Sequence, residues 1–248
     1  MGASMELKNS VVLVTGSAIR VGRAIALHLA EQGARVVVHY HTHQQEAGQT
    51  AAQLARHGQQ PLVVRGDVQR EDAWTNIRDQ ILQRYGRIDV VVNNAAIFYR
   101  TPLFQASEAD WDRFMNVNLK SIFHSARILG KVMVDQGRGK IINIADVSAY
   151  TVWPSYIPYC VSKAGVIAIT RGLAKALAPH VQVNAVAPGT VLLAENYDPA
   201  EEQALIERTP LKRIGSPEDI ARTVAFLIEG SDFITGEVIH VDGGRSIT

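Results

Sequence analysis

The residues best suited to chemistry in this chain are a phenol and an ammonium group four positions apart. Tyr159 and Lys163 are the two ends of a Tyr-Cys-Val-Ser-Lys segment, and this spacing puts both side chains on one face of a helix. A free tyrosine has a pKa of about 10 and is therefore a poor acid or base at neutral pH. Because a nearby cation favours the phenolate, we expect Lys163 to lower the pKa of Tyr159. The pair predicts a site in which a tyrosine donates a proton.

A turn with two glycines lies between the first apolar run and a helical segment. The sequence Thr15-Gly-Ser-Ala-Ile-Arg-Val-Gly22 has the strand, turn and helix setting that a dinucleotide fingerprint requires. Gly16 permits a tight turn and Gly22 permits close packing, while the helix N-terminus offers N–H groups to a pyrophosphate. Taken alone, the same pattern also fits an ordinary turn and helix cap.

The elements that must position these groups are short β-branched runs alternating with helical patterns. Almost wholly apolar runs are typical of strands buried on both faces of a parallel sheet. The predicted strands are 11–15, 34–39, 61–65, 88–93, 140–144, 182–187 and 237–241. The predicted helices are 22–32, 44–57, 71–85, 108–135, 155–178 and 216–228.

This alternation predicts a single α/β domain over residues 1–248. The expected architecture is a doubly wound, Rossmann-type fold with a seven-stranded parallel sheet and helices on both faces. Such sheets bind ligands beyond the carboxyl ends of their strands. The weakly patterned segment 190–210 is long enough to be a substrate lid.

The composition narrows the range of functions. Of 248 residues, 47% are apolar and 20% are charged, with a formal net charge of +1, the balance of a soluble globular protein. Without a Lys/Arg block, binding to nucleic acid is not expected. No signal peptide or membrane span is recognised, so we expect a cytoplasmic protein with no membrane partner. The only cysteine, Cys160, excludes an intrachain disulfide and is interpreted as a packing residue; no metal site is predicted.

Taken in order, these motifs resemble the short-chain dehydrogenase/reductase family over nearly the whole chain. The Thr-Gly turn matches its fingerprint, and Asn93-Asn94-Ala95 matches its Asn-Asn-Ala-Gly element, with Ala96 in place of the glycine. The resemblance implies that Tyr159 donates the proton and that Lys163 binds the ribose and tunes the pKa. It also implies that Asn118 supports a water-linked proton path. Asp146 departs from the family, which has a serine thirteen residues before the tyrosine.

The resemblance implies that the Asp146 carboxylate lies beside the substrate. An ionised carboxylate can accept hydrogen bonds, but it would repel a developing oxyanion, so a simple ketone fits poorly there. A substrate with N–H or amidine-like edges fits well, because the carboxylate can accept from it or pass a proton through water to a ring nitrogen. Ser148, two residues further on, is the alternative, since a shifted backbone could present its hydroxyl instead.

The resemblance implies a nicotinamide cofactor, and two features favour NADPH over NADH. Arg20 occupies a position where the family commonly has a small residue. A guanidinium there can reach a ribose 2′-phosphate unless it points into solvent. The end of the second strand, 39–43, lacks the carboxylate that would bind a bare 2′-hydroxyl. The expected cofactor-binding residues are Gly16, Ser17, Arg20, Val21, Gly22, His41, Thr42, His43, Asp67, Val68, Asn94, Ala95, Ala96, Tyr159, Lys163, Pro188, Gly189, Thr190 and Val191.

Within that family, four features resemble the pteridine reductases, including the bacterial dihydromonapterin/dihydrofolate reductases. They are Arg20, the His-Tyr-His run at 39–41, the segment 94–103 and Asp146. The resemblance implies that Phe98 stacks a pterin against the nicotinamide, although packing of the pocket wall would also explain an aromatic residue there. The expected catalytic residues are Asp146, Tyr159, Lys163 and Asn118. The expected substrate residues are Phe98, Asp146, Tyr159 and Leu192, with Leu193, Trp153 and Tyr156 as rim candidates.

The predicted reaction is hydride transfer from NADPH to a C=N bond of a dihydropteridine such as dihydrobiopterin, dihydromonapterin or dihydrofolate. Tyr159, or a water held by Asp146, then protonates the ring nitrogen. One alternative is an NADPH-dependent carbonyl reductase acting on a 3-oxoacyl thioester or another ketone. Another is a non-catalytic NADP(H)-binding regulatory protein. The family also implies a homotetramer built on helices 108–135 and 155–178 and the C-terminal strand.

Overall fold

The predicted strands form one parallel sheet in the computed structural model, which describes residues 5–58, 60–193 and 197–247. The strands are Val11–Val14 (β1), Arg35–Tyr40 (β2), Leu62–Arg65 (β3), Val90–Asn93 (β4), Gly139–Ile144 (β5), Val181–Pro188 (β6) and Val238–Val241 (β7). Their order across the sheet is β3-β2-β1-β4-β5-β6-β7, and every neighbouring pair is parallel. The predicted α/β fold class, with its seven-stranded sheet, is therefore confirmed.

Helices cover both faces of the sheet. They are Arg20–Glu31 (α1), Gln44–Ala55 (α2), Glu71–Tyr85 (α3), 108–135 (α4), Ile157–Ala176 (α5), Pro199–Arg208 (α6) and Pro217–Glu229 (α7). On one face, Val12 and Val14 of β1 pack with α1 and α7; on the other, Val11 and Leu13 pack with α3 and α4. Burial on both faces explains why the strands are continuous apolar runs. None of the helices in the described part of the chain has the length and apolar character needed to cross a bilayer.

Helix α6 lies inside the segment 190–210, where no helix was predicted. The Asp198 side chain caps it by accepting a hydrogen bond from the Ala200 N–H at 2.8 Å, and Pro199 occupies its first position. The helix buries no residue, so it does not need the continuous apolar stripe by which an amphipathic helix is recognised. Residues 194–196 of the proposed lid lie outside the described residues.

The sheet topology gathers the functional segments at one edge. β1 lies between β2 and β4, which makes the end of β1 a topological switch point of the kind where such sheets bind ligands. In register, Val14 pairs with Val92, and Ile144 pairs with Val186. The glycine turn after β1, Asn94 after β4, Asp146 after β5 and the segment after β6 therefore leave the sheet at the same edge.

His39 of β2 ties the glycine turn to this edge. Its Nδ1 accepts a hydrogen bond from the Gly16 N–H at 3.1 Å, and its Nε2 lies 3.1 Å from the Gly66 carbonyl oxygen. The ring is buried, and burial lowers the pKa of His39 to about 4. A neutral ring that donates through Nε2–H satisfies both partners, because the protonated form would lose the Nδ1 acceptor.

Acidification is expected to destabilise the protein through His39. The folded-state pKa of about 4 lies below the ordinary histidine pKa of 6.5, so the unfolded chain binds more protons between these values. The free energy of unfolding should fall as pH drops from about 6.5 towards 4, by up to about 3 kcal/mol. Urea titrations at several pH values measure this loss. His39→Asn should flatten the slope, whereas His57→Asn, at an exposed position, should retain it; equal slopes in all three proteins would refute the assignment.

Candidate active site

The phenol of Tyr159 donates its hydrogen bond to Asp146. The distance from the hydroxyl to Oδ2 is 2.8 Å, and the other carboxylate oxygen accepts from the Ser148 N–H at 2.7 Å. Burial raises the pKa of Tyr159 well above its usual value, and the charge and hydrogen bond of Asp146 raise it further. The prediction that Lys163 lowers this pKa is therefore wrong. Desolvation and the nearby carboxylate both favour the neutral phenol.

Lys163 lies on the same face of α5 as Tyr159, as predicted. Its Nζ is buried, donates to the Ile144 carbonyl at 2.7 Å and lies 5.8 Å from the centre of the Tyr159 ring. Burial lowers the pKa of Lys163 to about 8, while the charge of Asp146 acts in the opposite direction. The ammonium is therefore protonated at neutral pH, close to the point where it titrates. Its contact with the cofactor ribose stays a prediction.

Asn118 links three elements around the site. It lies in a π-helical stretch of α4, Met115–Lys120. Its side chain accepts from the Ile97 N–H at 2.8 Å and donates to the Ile97 carbonyl and to Ser162 Oγ, both at 3.1 Å. These bonds hold the segment after β4 against α5. The role of Asn118 in a water-linked proton path stays a prediction.

An aromatic cluster forms one wall beside the Tyr159 hydroxyl. Phe98 stacks on Tyr156 with ring centres 4.8 Å apart and planes 2° from parallel. It also meets the Tyr159 ring edge to face at 4.8 Å, and the Trp153 ring lies 6.5 Å from that of Tyr159. Phe98 remains 57% exposed. Phe98 therefore offers an exposed apolar surface close to the Tyr159 ring, and its stacking against a pterin stays a prediction.

Two other residues of this region pack rather than react. Ser148 is fully buried, and its hydroxyl has no hydrogen-bond partner among the described residues. The alternative that Ser148 presents a hydroxyl to the substrate is therefore contradicted, because only its backbone N–H contacts Asp146. Cys160 is also buried, and its Sγ accepts from the Trp153 N–H at 3.4 Å. This agrees with its interpretation as a packing residue.

The glycine turn is held by Asn94 and Thr15. Asn94 Nδ2 donates to the Thr15 carbonyl at 2.9 Å, and Thr15 Oγ1 accepts from the N–H groups of Asn94 and Ala95, both at 2.9 Å. Gly16 has a φ of +64°, which favours glycine. A Cβ on Gly22 would run into the Gly16 carbonyl and lie 2.5 Å from Asn94 Nδ2. The turn therefore needs glycine at position 16 for its backbone conformation and at position 22 for its close packing, as predicted.

The N-terminus of α1 fits a pyrophosphate group. Within the described part of the chain, no side chain caps α1, and its first turn carries no acidic residue. Helices α4 and α7 each have a complete capping box, built on Ser107 and Ser216. The first N–H groups of α1 are therefore left for an anionic ligand, and these residues fit a nicotinamide dinucleotide.

The residues assigned to the adenosine end lie on the segments after β1, β2 and β3. The Arg20 guanidinium donates to the Leu192 carbonyl at 3.3 Å, and so contacts the segment after β6. His41, Thr42 and His43 are exposed at the end of β2. Contact between Arg20 and a 2′-phosphate stays a prediction.

The other expected cofactor residues follow β1, β3 and β4. After β3, Val68 is buried, and the Asp67 carboxylate accepts hydrogen bonds from Gln69. Ser17 lies on the glycine turn, Val21 lies in the first turn of α1, and Ala95 and Ala96 lie on the segment after β4.

The segment Pro188 to Leu192 leaves β6 beside the site. A Cβ on Gly189 would lie 2.8 Å from Asp242 Cα, so this segment packs directly on the C-terminal turn. Thr190 Oγ1 accepts from Arg245 Nη1 at 2.8 Å, while Val191 is buried and Leu192 is 40% exposed. Sequence reasoning missed Arg245 and also Arg100, which donates through Nε to the Tyr156 hydroxyl at 3.2 Å. Neither arginine belongs to a local pattern that would have identified it.

Gly22→Ala is expected to weaken cofactor binding by at least about 10-fold, because the added Cβ must displace the Gly16 carbonyl and Asn94. Gly48→Ala in α2 is the matched control, since nothing lies within 4 Å of the position of its Cβ. Fluorescence titration with NADPH measures both dissociation constants. Equal affinities in the two variants would show that Gly22 does not shape the cofactor site.

Comparison with known proteins supports the class of enzyme expected from the sequence, a nicotinamide-dependent oxidoreductase. The chain matches the family model described as enoyl-(acyl carrier protein) reductase over residues 16–246. The 3-oxoacyl-(acyl-carrier-protein) reductase FabG of Thermotoga maritima is 36% identical, over 98% of this chain and 100% of that protein. The (2S)-((R)-hydroxy(phenyl)methyl)succinyl-CoA dehydrogenase subunit BbsD of Thauera aromatica is 37% identical, over 98% and 99%. The structure of a gluconate 5-dehydrogenase from Burkholderia cenocepacia in complex with NADP and tartrate has a TM-score of 0.92 and 32% identity, over 98% and 97%.

Fold, site and relatives together define an NAD(P)-dependent oxidoreductase with a tyrosine and a lysine at its centre. The chain belongs to the short-chain dehydrogenase/reductase family. The resemblance to that family is thus confirmed. The names of these relatives match the carbonyl-reductase alternative better than they match the pteridine reductases.

Proposed function

We propose that the protein is an NADPH-dependent reductase of a C=N bond in a dihydropteridine. The observation that carries the proposal is the hydrogen bond from the Tyr159 hydroxyl to Asp146. With its proton directed at the carboxylate, the phenol turns a lone pair towards the pocket, and the carboxylate adds further acceptor sites. Such a site favours a substrate edge that brings N–H groups. A ketone oxygen offers only acceptors, which the carboxylate would repel.

The chain's own residues supply the proton and orient the substrate. When bound, the cofactor supplies a hydride. Once an N–H group of the substrate replaces the phenol at the Asp146 carboxylate, Tyr159 can give its proton to the ring nitrogen of the substrate. The Lys163 ammonium, 5.8 Å from the phenol ring centre, offsets the negative charge left on the phenol. Asp146 accepts from the N–H edge and holds the substrate in register, while Phe98 packs against the planar ring.

Carbonyl reduction is the second candidate, and the relatives favour it. FabG of Thermotoga maritima is named as a 3-oxoacyl reductase and aligns with 98% of this chain. In this candidate, Asp146 must turn away from Tyr159 to free the phenol proton for a carbonyl oxygen. Replacing Asp146 by serine would then raise the turnover of a ketone.

The deciding experiment is NADPH oxidation with dihydrobiopterin, dihydromonapterin or dihydrofolate, beside an acetoacetyl thioester. We expect turnover of a dihydropteridine, with kcat/KM falling about 100-fold or more in Asp146→Asn. Ser148→Ala is the control, because this buried hydroxyl contacts no substrate. Turnover of the thioester alone, or faster thioester reduction by Asp146→Ser, would replace the pteridine proposal with carbonyl reduction.

We propose NADPH as the cofactor and a homotetramer as the assembly. The absence of a carboxylate at 39–43 supports NADPH, as does the NADP bound in the gluconate 5-dehydrogenase structure. Phe123 on α4 and Val161 on α5 are exposed apolar residues, which support contact between copies through these helices. Segment 190–210 is proposed as the lid, since α6 carries Glu201 close to the charge of Arg100 at the edge of the aromatic cluster.

A further inference from the structure

A buried asparagine interrupts the apolar strand that leads to Asp146. Asn143 lies between Ile142 and Ile144 in β5 and is fully buried. Asparagine is disfavoured in strands, and the burial of its amide costs free energy unless the amide forms hydrogen bonds. A residue that departs from its local pattern in this way is expected where function requires it.

The Asn143 amide joins two strands to the helix that carries the reacting groups. Its Oδ1 accepts from Asn93 Nδ2 at 2.8 Å, and its Nδ2 donates to Thr170 Oγ1 at 2.9 Å. Asn93 is its register partner on β4, and Thr170 lies on α5. The Thr170 hydroxyl gives its own proton to the Val166 carbonyl at 2.7 Å, which leaves its oxygen to accept from Asn143. All of these side chains are buried, so the bridge lies within the core.

Lys163 and Thr170 attach the same face of α5 to β5. They are seven residues apart, which is close to two helical turns. The Lys163 Nζ donates to the Ile144 carbonyl at 2.7 Å, and Thr170 binds Asn143, the residue before Ile144. Apolar packing has no preferred direction, whereas a hydrogen bond requires both a distance and an angle. These two bonds therefore limit how far α5 can slide along β5.

Lys163 depends on this register more than Tyr159 does. The Tyr159 ring is held by its own neighbours, since it meets Phe98 and Phe114 edge to face with ring centres 4.8 and 6.1 Å away. The Lys163 ammonium is instead bound by a backbone carbonyl of β5, one residue after Asn143. Because catalysis is sensitive to displacements of about 1 Å, a buried amide beside this carbonyl can affect the rate.

We propose that Asn143 is a positioning residue: through its bond to Thr170 it holds α5 in register with β5 and so places Lys163 in the site. Asn93 orients the amide from the other side by donating to its oxygen. The inference rests on the proposed roles of Tyr159 and Lys163, and it holds for a dihydropteridine and for a ketone alike.

A double-mutant cycle between Asn143 and Lys163 tests the proposal. Asn143→Leu keeps a side chain of similar size and removes both hydrogen bonds. Activity is measured with NADPH and dihydrofolate, and with an acetoacetyl thioester. We expect Asn143→Leu to lower kcat/KM for NADPH by about 10-fold. In the Lys163→Met background, the same substitution should cost less than about 3-fold, because the group that Asn143 positions is already gone.

Variants of Thr170 separate the hydrogen bond from the packing, and they carry the test if Asn143→Leu does not fold. Thr170→Val keeps the shape and removes the acceptor, so it should reproduce the loss and its dependence on Lys163. Thr170→Ser keeps the hydroxyl and should retain most of the activity. Thr223→Val is the matched control, because Thr223 makes the same bond to the carbonyl four residues earlier but lies on α7, which carries no reacting group.

A measurement without substrate covers the case in which the protein reduces neither compound. The pKa of Lys163, about 8 in the parent protein, is read from the ¹³Cε NMR signal of its side chain, assigned with Lys163→Met. It should move by at least about 0.5 unit in Asn143→Leu and in Thr170→Val, because it depends on burial and on the carbonyl acceptor. It should stay in place in Thr170→Ser and Thr223→Val.

The outcomes separate this inference from the proposed function. Equal losses in the two backgrounds, or equal losses in Thr170→Ser and Thr170→Val, overturn the positioning role and leave pteridine reduction standing. A loss that disappears in the Lys163→Met background, with the thioester as the sole substrate reduced, supports the positioning role and overturns pteridine reduction. In a protein without turnover, the NMR titration decides: a moved pKa supports the positioning role, and an unmoved one overturns it together with the proposed function.

Discussion

Replacing Tyr159 by phenylalanine is expected to lower kcat by about 100- to 10,000-fold, the range typical for the loss of a positioned proton donor. The substitution removes the hydroxyl that lies 2.8 Å from Asp146 and keeps the ring that packs on Phe98. Substrate and cofactor affinity should therefore change little. Steady-state kinetics with NADPH, together with cofactor titration, measures the two effects separately.

Tyr156→Phe is the matched control for this variant. Tyr156 belongs to the same cluster, but its hydroxyl faces Arg100 rather than Asp146. Its loss should change kcat by less than about 10-fold. If both variants lost activity equally, the cluster would act through packing, and Tyr159 would not be the proton donor.

Lys163→Met is expected to lower kcat/KM by about 100-fold and to remove an alkaline limb from its pH profile. The pKa of Lys163 is lowered to about 8 by burial, so the parent protein should lose activity as pH rises through that value and the ammonium loses its charge. Tyr159 cannot cause this limb, because its pKa is raised well above 10. The profile of kcat/KM for NADPH reports the free enzyme and measures the limb.

Lys175→Met is the control for Lys163, since Lys175 lies on the same helix and is exposed. Its loss should leave both the rate and the pH profile unchanged. An alkaline limb that persists in Lys163→Met would assign the titration to another group. A profile without a limb in the parent protein would show that Lys163 keeps its proton well above pH 8.

Local patterns were enough to predict the elements. A strand such as Val90–Asn93 is apolar throughout because both of its faces are buried, and Ser216 with Pro217 marks the start of α7 within a few residues. Helix α6 was missed because it buries nothing. Its capping residue alone did not distinguish it from a turn.

Spacing along the chain also predicted part of the site. Tyr159 and Lys163 share a face of α5 because residues four apart always do so in a helix. The direction of the pKa shift of Tyr159 was predicted wrongly. That shift depends on how deeply the phenol is buried and on the nearby Asp146 carboxylate, and neither is visible in a helical spacing.

By itself, the sequence determined which chemical groups are present and the order of strands and helices, since both are set by residue type and by neighbours within a few positions. Only the tertiary structure decided which of these groups meet. His39 reaches Gly16 and Gly66 because β1, β2 and β3 are adjacent in the sheet. Arg245 reaches Thr190, 55 positions away, and Trp153 through the packing of the C-terminal turn. Contacts between distant residues follow from the packing of the whole sheet and its helices, which no local pattern in the chain encodes.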